Sequence, residues 1–414
     1  MTAYRIKDVA RINRRTLPED TDPGYEFKYI DIGAVDGLGN IDIPNGHVTF
    51  AAAPSRARRL APSGAVIAST VRTYLGAIAV VPSSQDPLAF STGFAILEAE
   101  PKIESRFLGY YCRSQPFIQE IVARSTGVSY PAINASEIGD LTIPLPSLEY
   151  QRRIADFLDT EIARIDTLAA AMNSQDVALK QRRLRVLDFA WEHAPGTPLA
   201  RLGYLSSLVT SGSRGWGDFV SDTGPLFFRS ANLHPDRVQP KLTNLAYVQI
   251  PGTVSSEAQR SRIESGDVLV GITGANAGWV CMANDDVAGG HVSQHVCLVR
   301  PDKQRINGDW LAFLIASPAT QGKLMGNQYG GTKTQLSLPD IRDIRIPVLS
   351  IDQQVRLACS IKRQIDAIDR QRLLRQRQLA LLTERRQALI TAAVTGQFDV
   401  STASGRNVTD GVSA

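Results

Sequence analysis

Residues 138–168 read IGDLTIPLPSLEYQRRIADFLDTEIARIDTL, and residues 341–371 read IRDIRIPVLSIDQQVRLACSIKRQIDAIDRQ. The two segments align without a gap at a constant shift of 203 residues, from position 138 to position 341. Further upstream, Gly76 matches Gly278 at a shift of 202, so a single-residue insertion or deletion lies between. A period of about 200 residues is far longer than the roughly 20–50 residues of a solenoid unit. The sequence therefore predicts a duplicated unit, each copy being a globular domain followed by a long helix.

The composition limits the class of protein. Apolar residues make up 43% of the 414 residues and charged residues 21%, as in water-soluble globular proteins. No stretch approaches the ~20 apolar residues of a membrane span, and the first residues are too polar for a signal peptide, so a cytoplasmic location is expected. The four cysteines lack CxxC spacing, which indicates reduced thiols. The net charge of +4 is spread so that neither predicted domain is strongly basic, which argues against a nonspecific polyelectrolyte binder but leaves selective DNA reading open where cations cluster.

Short β-rich runs bounded by Gly, Pro and Ser predict an α/β (α+β) domain over residues 1–145 and a second one over residues 193–346. A first spacer helix is predicted over residues 146–192, and a second over residues 347–395. Residues 396–414 are polar and are expected to form a flexible tail.

Both spacer helices carry apolar side chains at steps of three and four residues, which is typical of a coiled-coil seam. The predicted seam residues are Ile154, Leu158, Ile162, Ile165, Leu168, Leu357, Ile361, Ile365 and Ile368. Antiparallel pairing of the two helices within the chain would give a pseudo-two-fold internal repeat with the domains at opposite ends. Parallel pairing would require the short connection at 195–198 to run back along the whole helix, which it cannot span. Pairing of each helix with another chain is the remaining alternative.

Several segments resemble a known family. The segments 143–166 (IPLPSLEYQRRIADFLDTEIARID), 346–369 (IPVLSIDQQVRLACSIKRQIDAID) and 381–400 (LLTERRQALITAAVTGQFDV) are similar to the conserved regions of type I restriction–modification specificity subunits. The segments 125–146 (STGVSYPAINASEIGDLTIPLP) and 330–348 (GGTKTQLSLPDIRDIRIPV) are similar to the ends of that family's target-recognition domains. The resemblance covers essentially the whole chain.

The resemblance implies a non-catalytic adaptor that reads double-stranded DNA. Each target-recognition domain would read one half of a bipartite sequence, and the helix pair would set the gap between the halves. The helices would also dock two adenine methyltransferase subunits, and a motor-nuclease subunit would join the complex. This chain would need no cofactor, because S-adenosylmethionine, ATP and Mg²⁺ would be used by those partners.

A search for catalytic motifs agrees with that expectation. The sequence contains no NPPY or DPPY tetrapeptide, no FxGxG cofactor loop and no GxxxxGK[ST] phosphate loop. His291 and His295 are four residues apart but lack the glutamate of HExxH, so no metal site is predicted. Two other classes stay open at this point. One is a coiled-coil scaffold with protein-binding domains, and the other is a nuclease or methyltransferase in its own right.

Residues that would contact DNA are chosen by chemistry. Arg suits guanine and Asn or Gln suits adenine, whereas phosphates accept hydrogen bonds from cations, hydroxyls and backbone amides. The loop around residues 70–76 corresponds to 273–278, and 125–130 corresponds to 328–333, so these loops are preferred. In the first domain the candidates are Arg56, Arg58, Arg59, Ser69, Thr70, Arg72, Tyr74, Ser129 and Tyr130. In the second domain they are Arg214, Trp216, Arg229, Asn232, Thr273, Asn276, Thr332, Lys333 and Gln335.

Overall fold

The computed structural model describes residues 2–194, 196–326, 335–397 and 399–400. The chain divides into two compact units. Unit 1 comprises the described residues of Met1–Ala171 and Arg377–Ala414, and unit 2 those of Met172–Gln376. Each unit therefore holds one globular part together with half of each long helix. Because this division cuts across the helices, the domain limits predicted above stay predictions. The predicted tail lies outside the described residues from position 401 onward.

Unit 1 contains three sheets and three short helices. The strands are β1 (Thr2–Arg5), β2 (Ala10–Ile12), β3 (Arg15–Thr16), β4 (Glu26–Ile30), β5 (Val48–Thr49), β6 (Ala57–Leu60), β7 (Val66–Ser69), β8 (Ile78–Val80), β9 (Leu88–Ser91), β10 (Phe94–Ala99) and β11 (Thr142–Leu145). The helices are α1 (Ser105–Cys112), α2 (Gln115–Arg124), α3 (Ala135–Gly139) and the first half of the long helix α4 (Leu148–Glu192). The sheet orders are β2-β10-β7-β8, β3-β6-β9-β4-β5 and β1-β11.

Unit 2 repeats this plan. Its strands are β12 (Leu199–Arg201), β13 (Ser206–Ser211), β14 (Val220–Phe228), β15 (Tyr247–Val248), β16 (Val268–Gly271), β17 (Val280–Met282), β18 (His291–Val292), β19 (Val296–Pro301) and β20 (Arg345–Pro347). Its helices are α5 (Ser255–Ser261), α6 (Gly308–Ala316), α7 (Pro318–Gly326), α8 (Leu338–Arg342) and the first half of the long helix α9 (Ile351–Thr395). The sheet orders are β13-β19-β16-β17, β15-β14-β18 and β12-β20.

The duplication read from the sequence is confirmed in the backbone. The four-stranded sheets β2-β10-β7-β8 and β13-β19-β16-β17 have equivalent strands in the same order, and all their pairings are antiparallel. The long helices α4 and α9 are each 45 residues long and begin 203 positions apart. The units differ in their other large sheet, which has five strands in unit 1 and three in unit 2. None of the described helices is long and apolar enough to cross a membrane.

A buried glutamine joins each globular part to the start of its long helix. Gln151 of α4 is 1% exposed, and its side-chain oxygen accepts a hydrogen bond from the N–H of Glu104 at 2.8 Å. Gln354 of α9, also 1% exposed, accepts from the N–H of Asn307 at 2.8 Å. Each glutamine also donates to the carbonyl five residues before it, at 2.9 and 2.8 Å. Because Glu104 and Asn307 cap α1 and α6, each glutamine fixes a domain helix against a spacer helix.

The two long helices pair antiparallel within unit 1. The Tyr150 hydroxyl lies 3.1 Å from the Asp399 carboxylate, and the Asp166 carboxylate lies 3.5 Å from Nε of Arg386. The partner number falls as the position along α4 rises, which defines antiparallel chains. The predicted seam residues Ile154, Leu158, Ile162 and Ile165 are buried in one apolar cluster with Leu389, Ile390, Ala393 and Val394 of α9.

Unit 2 shows the same antiparallel pairing. Asp176 lies 2.9 Å from Nε of Arg372, and Arg183 Nε lies 3.3 Å from Asp369. The pair Arg183–Asp369 is equivalent to Arg386–Asp166 of unit 1, because both residues shift by 203 positions. The predicted seam residues Ile361, Ile365 and Ile368 are buried. Leu357 is half-buried and packs against the apolar cluster that contains Ile361 and Ile365. The fold class predicted from the sequence is thus confirmed in its α/β domains, its antiparallel long helices and its internal repeat.

Leu168 is a correction to the predicted seam. Its side chain is 46% exposed, whereas Ala169 is half-buried. Each residue of an α-helix turns about 100° around the helix axis. Two successive three-residue steps, from Ile162 through Ile165 to Leu168, therefore place the Leu168 side chain roughly 120° from that of Ile162 and away from the buried apolar stripe. A four-residue step from Ile165 to Ala169 keeps it on the stripe. A small side chain therefore occupies the position that the apolar pattern assigned to leucine.

The basic segment Arg370–Arg377 of α9 is only partly exposed. The side chain of Arg372 is 2% exposed and pairs with Asp176 at 2.9 Å and with Asp236 at 2.6 Å. Arg375 is half-buried, and its guanidinium donates to the Gln175 side chain at 3.0 Å. These arginines hold α9 to neighbouring elements of unit 2.

Candidate nucleic-acid interface

The loops predicted to contact DNA in the first domain meet just beyond strand β7. Val71, two residues after the strand, forms an antiparallel bridge with Ala132. A second bridge closes the neighbouring loop on itself, because Thr126 and Ala132 exchange two backbone hydrogen bonds of 2.9 Å. Residues 127–131 therefore form a short tip that is held against the end of the strand. We call residues 71–75 together with 125–132 the first loop junction.

Exposed side chains cluster at the first loop junction. The guanidinium carbon of Arg72 lies 5.0 Å from the centre of the Tyr130 ring, within the range of a cation–π contact. Tyr130 is 66% exposed and Tyr74 58%, and Ser129 is also exposed. Bases and phosphates are bound by such combinations of cations, aromatic rings and hydroxyls. The structure thus brings together four of the predicted residues in one accessible loop pair.

Two predicted hydroxyls beside this junction bind the backbone instead. Ser69 is 4% exposed, and its hydroxyl donates to the Val71 carbonyl at 2.6 Å. Thr70 is half-buried, and its hydroxyl donates to the Gly93 carbonyl at 2.9 Å. Ser69 is therefore a correction, since a buried hydroxyl that shapes a turn cannot reach DNA. The role predicted for Thr70 stays a prediction.

The arginine-rich segment at residues 56–59 contacts the turn between β9 and β10, which also contacts the residues beside the first loop junction. The Arg56 carbonyl accepts a hydrogen bond from Thr92 at 2.8 Å, and the neighbouring Gly93 carbonyl accepts one from the N–H of Thr70 at 2.8 Å. The turn between β9 and β10 therefore lies between the arginine segment and the first loop junction. Arg56 itself is exposed.

The other two arginines of the segment are partly engaged. Arg58 and Arg59 are half-buried, and the guanidinium of Arg58 lies 4.3 Å from the Phe50 ring centre. Arg58 also donates to the Ala57 carbonyl at 3.1 Å. Both remain predicted DNA contacts, with less of each side chain accessible than for Arg56.

The second domain forms an equivalent junction. Thr273 forms an antiparallel bridge with Gln335, at the positions that Val71 and Ala132 occupy in the first domain. The Thr273 hydroxyl lies 2.9 Å from Nδ1 of the exposed His295, and Gln335 is exposed. Thr332 and Lys333 lie outside the described residues. Their predicted contacts with DNA stay predictions.

Three further candidates of the second domain have accessible atoms. The Asn276 amide donates to the Ser230 carbonyl at 2.9 Å and the residue is half-buried. The Arg229 guanidinium donates to the Asn244 carbonyl at 2.7 Å, and Arg229 is likewise half-buried. Arg214 is exposed in the connection between β13 and β14. All three stay predicted DNA contacts.

Two candidates of the second domain are corrections. Trp216 is 2% exposed and packs in a small apolar cluster with Val248. Asn232 is fully buried, and its amide donates to the Lys241 carbonyl at 3.1 Å. Residue type suggested both as DNA contacts, but the sequence pattern did not reveal that each faces the interior. Their side chains hold the fold and do not reach the surface.

The described residues contain no group of three or more His, Cys, Asp or Glu side chains placed to hold a metal ion. His291 is buried, and its Nδ1 lies 3.1 Å from the Ser261 hydroxyl. Burial lowers the pKa of His291, so the ring stays neutral under ordinary conditions. His291 therefore serves packing.

One exposed residue of the first loop junction was not selected from the sequence. Val128 lies in the tip and its side chain is fully exposed. The available signal was an apolar residue between Gly127 and Ser129 in an otherwise polar loop. Gly127 has a φ of 106°, and an added Cβ would lie 3.1 Å from the Tyr130 carbonyl oxygen, so glycine is needed for this tip.

The architecture defines a class of protein with two similar α/β domains, each leading into a long antiparallel helix. A solved chain from work on complex assembly and conformational transition of the type I R-M system has this fold, with a TM-score of 0.74 and 24% identity. The superposition covers 96% of this chain and 98% of that chain.

Sequence comparisons find relatives of one particular kind. Residues 1–174 match the family described as Type I restriction modification DNA specificity domain. The EcoBI specificity subunit of Escherichia coli is 24% identical over 301 residues, which is 66% of this chain and 62% of that subunit. The StySPI specificity subunit of Salmonella potsdam is 23% identical over 384 residues, or 84% of this chain and 79% of that subunit. These matches confirm the resemblance to type I restriction–modification specificity subunits that the sequence showed.

Proposed function

We propose that this chain is the DNA-reading specificity subunit of a type I restriction–modification complex. Each globular domain reads one half of a bipartite double-stranded DNA sequence. The observation that carries the proposal is the loop junction that is built twice, with the bridge Val71–Ala132 in unit 1 and the bridge Thr273–Gln335 in unit 2. A duplicated reading loop is what a two-part target requires, because each half needs its own set of contacts.

The side chains at the junctions support DNA as the ligand. Arg72 and Tyr130 are exposed in unit 1, and Gln335 is exposed in unit 2. An arginine fork matches the acceptors of guanine and a glutamine amide matches the donor and acceptor of adenine.

The proposal extends to partners and cofactors. The long helices would dock two adenine methyltransferase subunits and set the number of base pairs between the half-sites. A motor-nuclease subunit would complete the restriction complex. Methyl transfer, translocation and cleavage would belong to these partners, which would use S-adenosylmethionine, ATP and Mg²⁺. This chain would contribute the sequence address and no chemical step.

A binding titration with half-site variants of the DNA tests the proposal. The DNA sequence is first obtained by single-molecule sequencing of modified adenines in cells that carry the system. Tyr74→Ala with Tyr130→Ala should weaken binding of the reconstituted complex through one half-site only. Thr273→Ala with Gln335→Ala should weaken it through the other half-site. Each lost base contact should cost about 1–3 kcal/mol.

Gel filtration of each reconstituted complex provides the control for assembly. Loss of affinity through both half-sites from either pair of substitutions would overturn the assignment of one domain to one half-site. Indifference of the wild-type complex to DNA sequence would favour the protein-binding scaffold. Methyl transfer by the purified chain alone would instead show that the chain is an enzyme.

A further inference from the structure

Arg72 has a backbone conformation that arginine seldom adopts. Among the described residues, the non-glycine residues with positive φ are Asn13, Arg72 and Asn244. Asparagine tolerates this left-handed region, because its short polar side chain can hydrogen-bond to the local backbone. Arginine has no such compensation, and Arg72 nevertheless lies at φ 50° and ψ 47°. Strain of this kind persists where the surrounding structure enforces it, and it concentrates at functional sites.

The internal repeat shows what the fold itself requires at this position. Val71 and Thr273 are equivalent in the two bridges, so Arg72 is equivalent to Gly274. Gly274 has a φ of 67°, and therefore both junctions use the left-handed conformation. Glycine adopts it without strain. Unit 1 thus has an arginine at a position where the duplicated structure is satisfied by glycine, and folding does not account for this choice.

The surroundings fix the backbone from which the Arg72 side chain starts and place its guanidinium beside the Tyr130 ring. The N–H of Arg72 donates to the Pro131 carbonyl at 2.8 Å, and the Arg72 carbonyl accepts from Leu75 at 2.9 Å. The guanidinium lies 5.0 Å from the Tyr130 ring centre. Thr73 braces the same segment through a 2.7 Å hydrogen bond between its hydroxyl and that of Ser125.

The guanidinium itself is free to bind a ligand. Within the part of the chain that the structure describes, no protein group accepts a hydrogen bond from the Arg72 side chain, and the residue is exposed. A guanidinium fork can pair with two phosphate oxygens as well as with a base edge, so the choice between them depends on how the fork is held. The Arg72 guanidinium is a planar fork on a backbone that is held in place, and it lies beside an aromatic ring. Such a fork suits a planar pair of acceptors. The major-groove edge of guanine offers such a pair in N7 and O6.

We propose that Arg72 reads a guanine in the half-site of the first domain, and that Tyr130 is the positioning residue that orients its guanidinium. The second domain, with Gly274, reads its half-site without this contact. The inference rests on the proposed function and names one base contact within it.

The test uses the complex reconstituted with its methyltransferase subunits and DNA in which single guanines are replaced by 7-deazaguanine, which lacks N7. One replacement in the first domain's half-site should weaken binding of the wild type about 10- to 100-fold. Arg72→Gly should lose a similar factor on unmodified DNA and no longer respond to that replacement. Arg72→Lys keeps the charge but not the fork, and should behave like Arg72→Gly towards 7-deazaguanine.

Tyr130 is tested by a matched pair of substitutions. Tyr130→Phe keeps the ring and should bind as the wild type does, whereas Tyr130→Leu should lose part of the discrimination between guanine and 7-deazaguanine. Thermal unfolding of Arg72→Gly should occur at no lower temperature than that of the wild type, because glycine suits the conformation.

Three results would overturn the inference. They are wild-type affinity in Arg72→Gly, full guanine discrimination in Arg72→Lys, and a lowered melting temperature of Arg72→Gly, which would assign the arginine to folding. If no guanine of that half-site responds to 7-deazaguanine while both half-sites still govern binding, the guanine contact is wrong and the proposed function stands. If neither half-site governs binding, the proposed function itself fails.

Discussion

The helix pair of unit 1 is apolar at two positions where the helix pair of unit 2 is charged. In unit 2, Asp176 and Arg372 form an ion pair, and Asp236 of the globular part joins them. The equivalent positions in unit 1 are occupied by Leu379 and Ala169, both half-buried. The same backbone arrangement is therefore stabilised by two different chemistries. The duplication has conserved geometry more strictly than side-chain character.

The comparison also shows what the buried charges do. A buried ion pair is weak evidence for stability, because desolvation offsets much of the attraction. The ion pair between Arg183 and Asp369 has an equivalent in unit 1. Burial raises the pKa of Asp369 and lowers that of Arg183, so this pair is strongly desolvated. Asp236 comes from the globular part and its carboxylate lies 2.6 Å from Arg372. The charges of unit 2 therefore fix one loop of the domain against α9.

The largest expected effect comes from breaking the charged seam. Arg372→Ala removes the partner that Asp176 and Asp236 share, while Asp176 keeps Lys180 at 3.3 Å. The substitution should destabilise unit 2 by about 3 kcal/mol, at the lower end of the range for buried pairs. The lower end applies because the side chain of Asp236 is 36% exposed. Hydrogen exchange in residues 351–376 should report the loss.

The double variant Arg372→Ala with Asp176→Leu sharpens that comparison, because it gives unit 2 the residues of unit 1. It should recover the part of the loss that comes from Asp176, since the apolar pair needs no desolvation of charge, whereas Asp236 still lacks Arg372. A double variant as unstable as the single one would mean that the charges are required by the backbone geometry of unit 2.

The buried glutamines should respond alike in the two units. Gln151→Ala and Gln354→Ala each leave a buried backbone N–H without its acceptor, which should cost about 2 kcal/mol per unit. Denaturant unfolding followed by hydrogen exchange would localise each loss to its own unit. If only one of the two substitutions lowered the stability of its unit, the equivalent glutamines would not contribute equally to stability.

A smaller effect is expected from acid. Burial favours a higher pKa for Asp176, but the hydrogen bonds and charge attraction from neighbouring cations, Arg372 foremost, together outweigh it, so the pKa of Asp176 is lowered. The pKa of Asp236 is lowered for the same reasons. Carboxyls with a lowered folded pKa stabilise the protein above their unfolded pKa near 3.9, and the contribution is lost as pH falls through the folded value.

The stability difference between the wild type and Arg372→Ala in unit 2 should therefore shrink as the pH falls below about 4. Chemical denaturation at pH 7 and in steps below pH 4 measures it. A difference that grows on acidification would contradict the depressed pKa of these carboxyls.

The smallest effect is expected at Leu168. Because its side chain is exposed, Leu168→Ala should change stability by no more than about 0.5 kcal/mol. Ile165→Ala, one step earlier on the buried stripe, is the destabilising control. Equal losses of stability from the two substitutions would show that Leu168 packs in the seam.

Much of the candidate interface could be located from the sequence, but not in atomic detail. Internal alignment identified the two equivalent loop pairs, because duplicated positions share the same shift. It could not separate exposed from buried members, so Ser69, Trp216 and Asn232 were chosen on residue type alone. Whether a polar side chain reaches solvent depends on how strands and loops pack around it, and local sequence does not record that packing.

The sequence by itself determined the repeat, the two domains of mixed α/β structure, the long helices and the family resemblance. Periodicity and self-similarity are local properties, and they survive in the order of residues. Only the tertiary structure decided that Arg372 is buried between two carboxylates and that Ala169 replaces Leu168 on the stripe. It also decided that Arg72 lies in a left-handed turn beneath the Tyr130 ring. These features arise from contacts between residues that are distant along the chain, so no local pattern could reveal them.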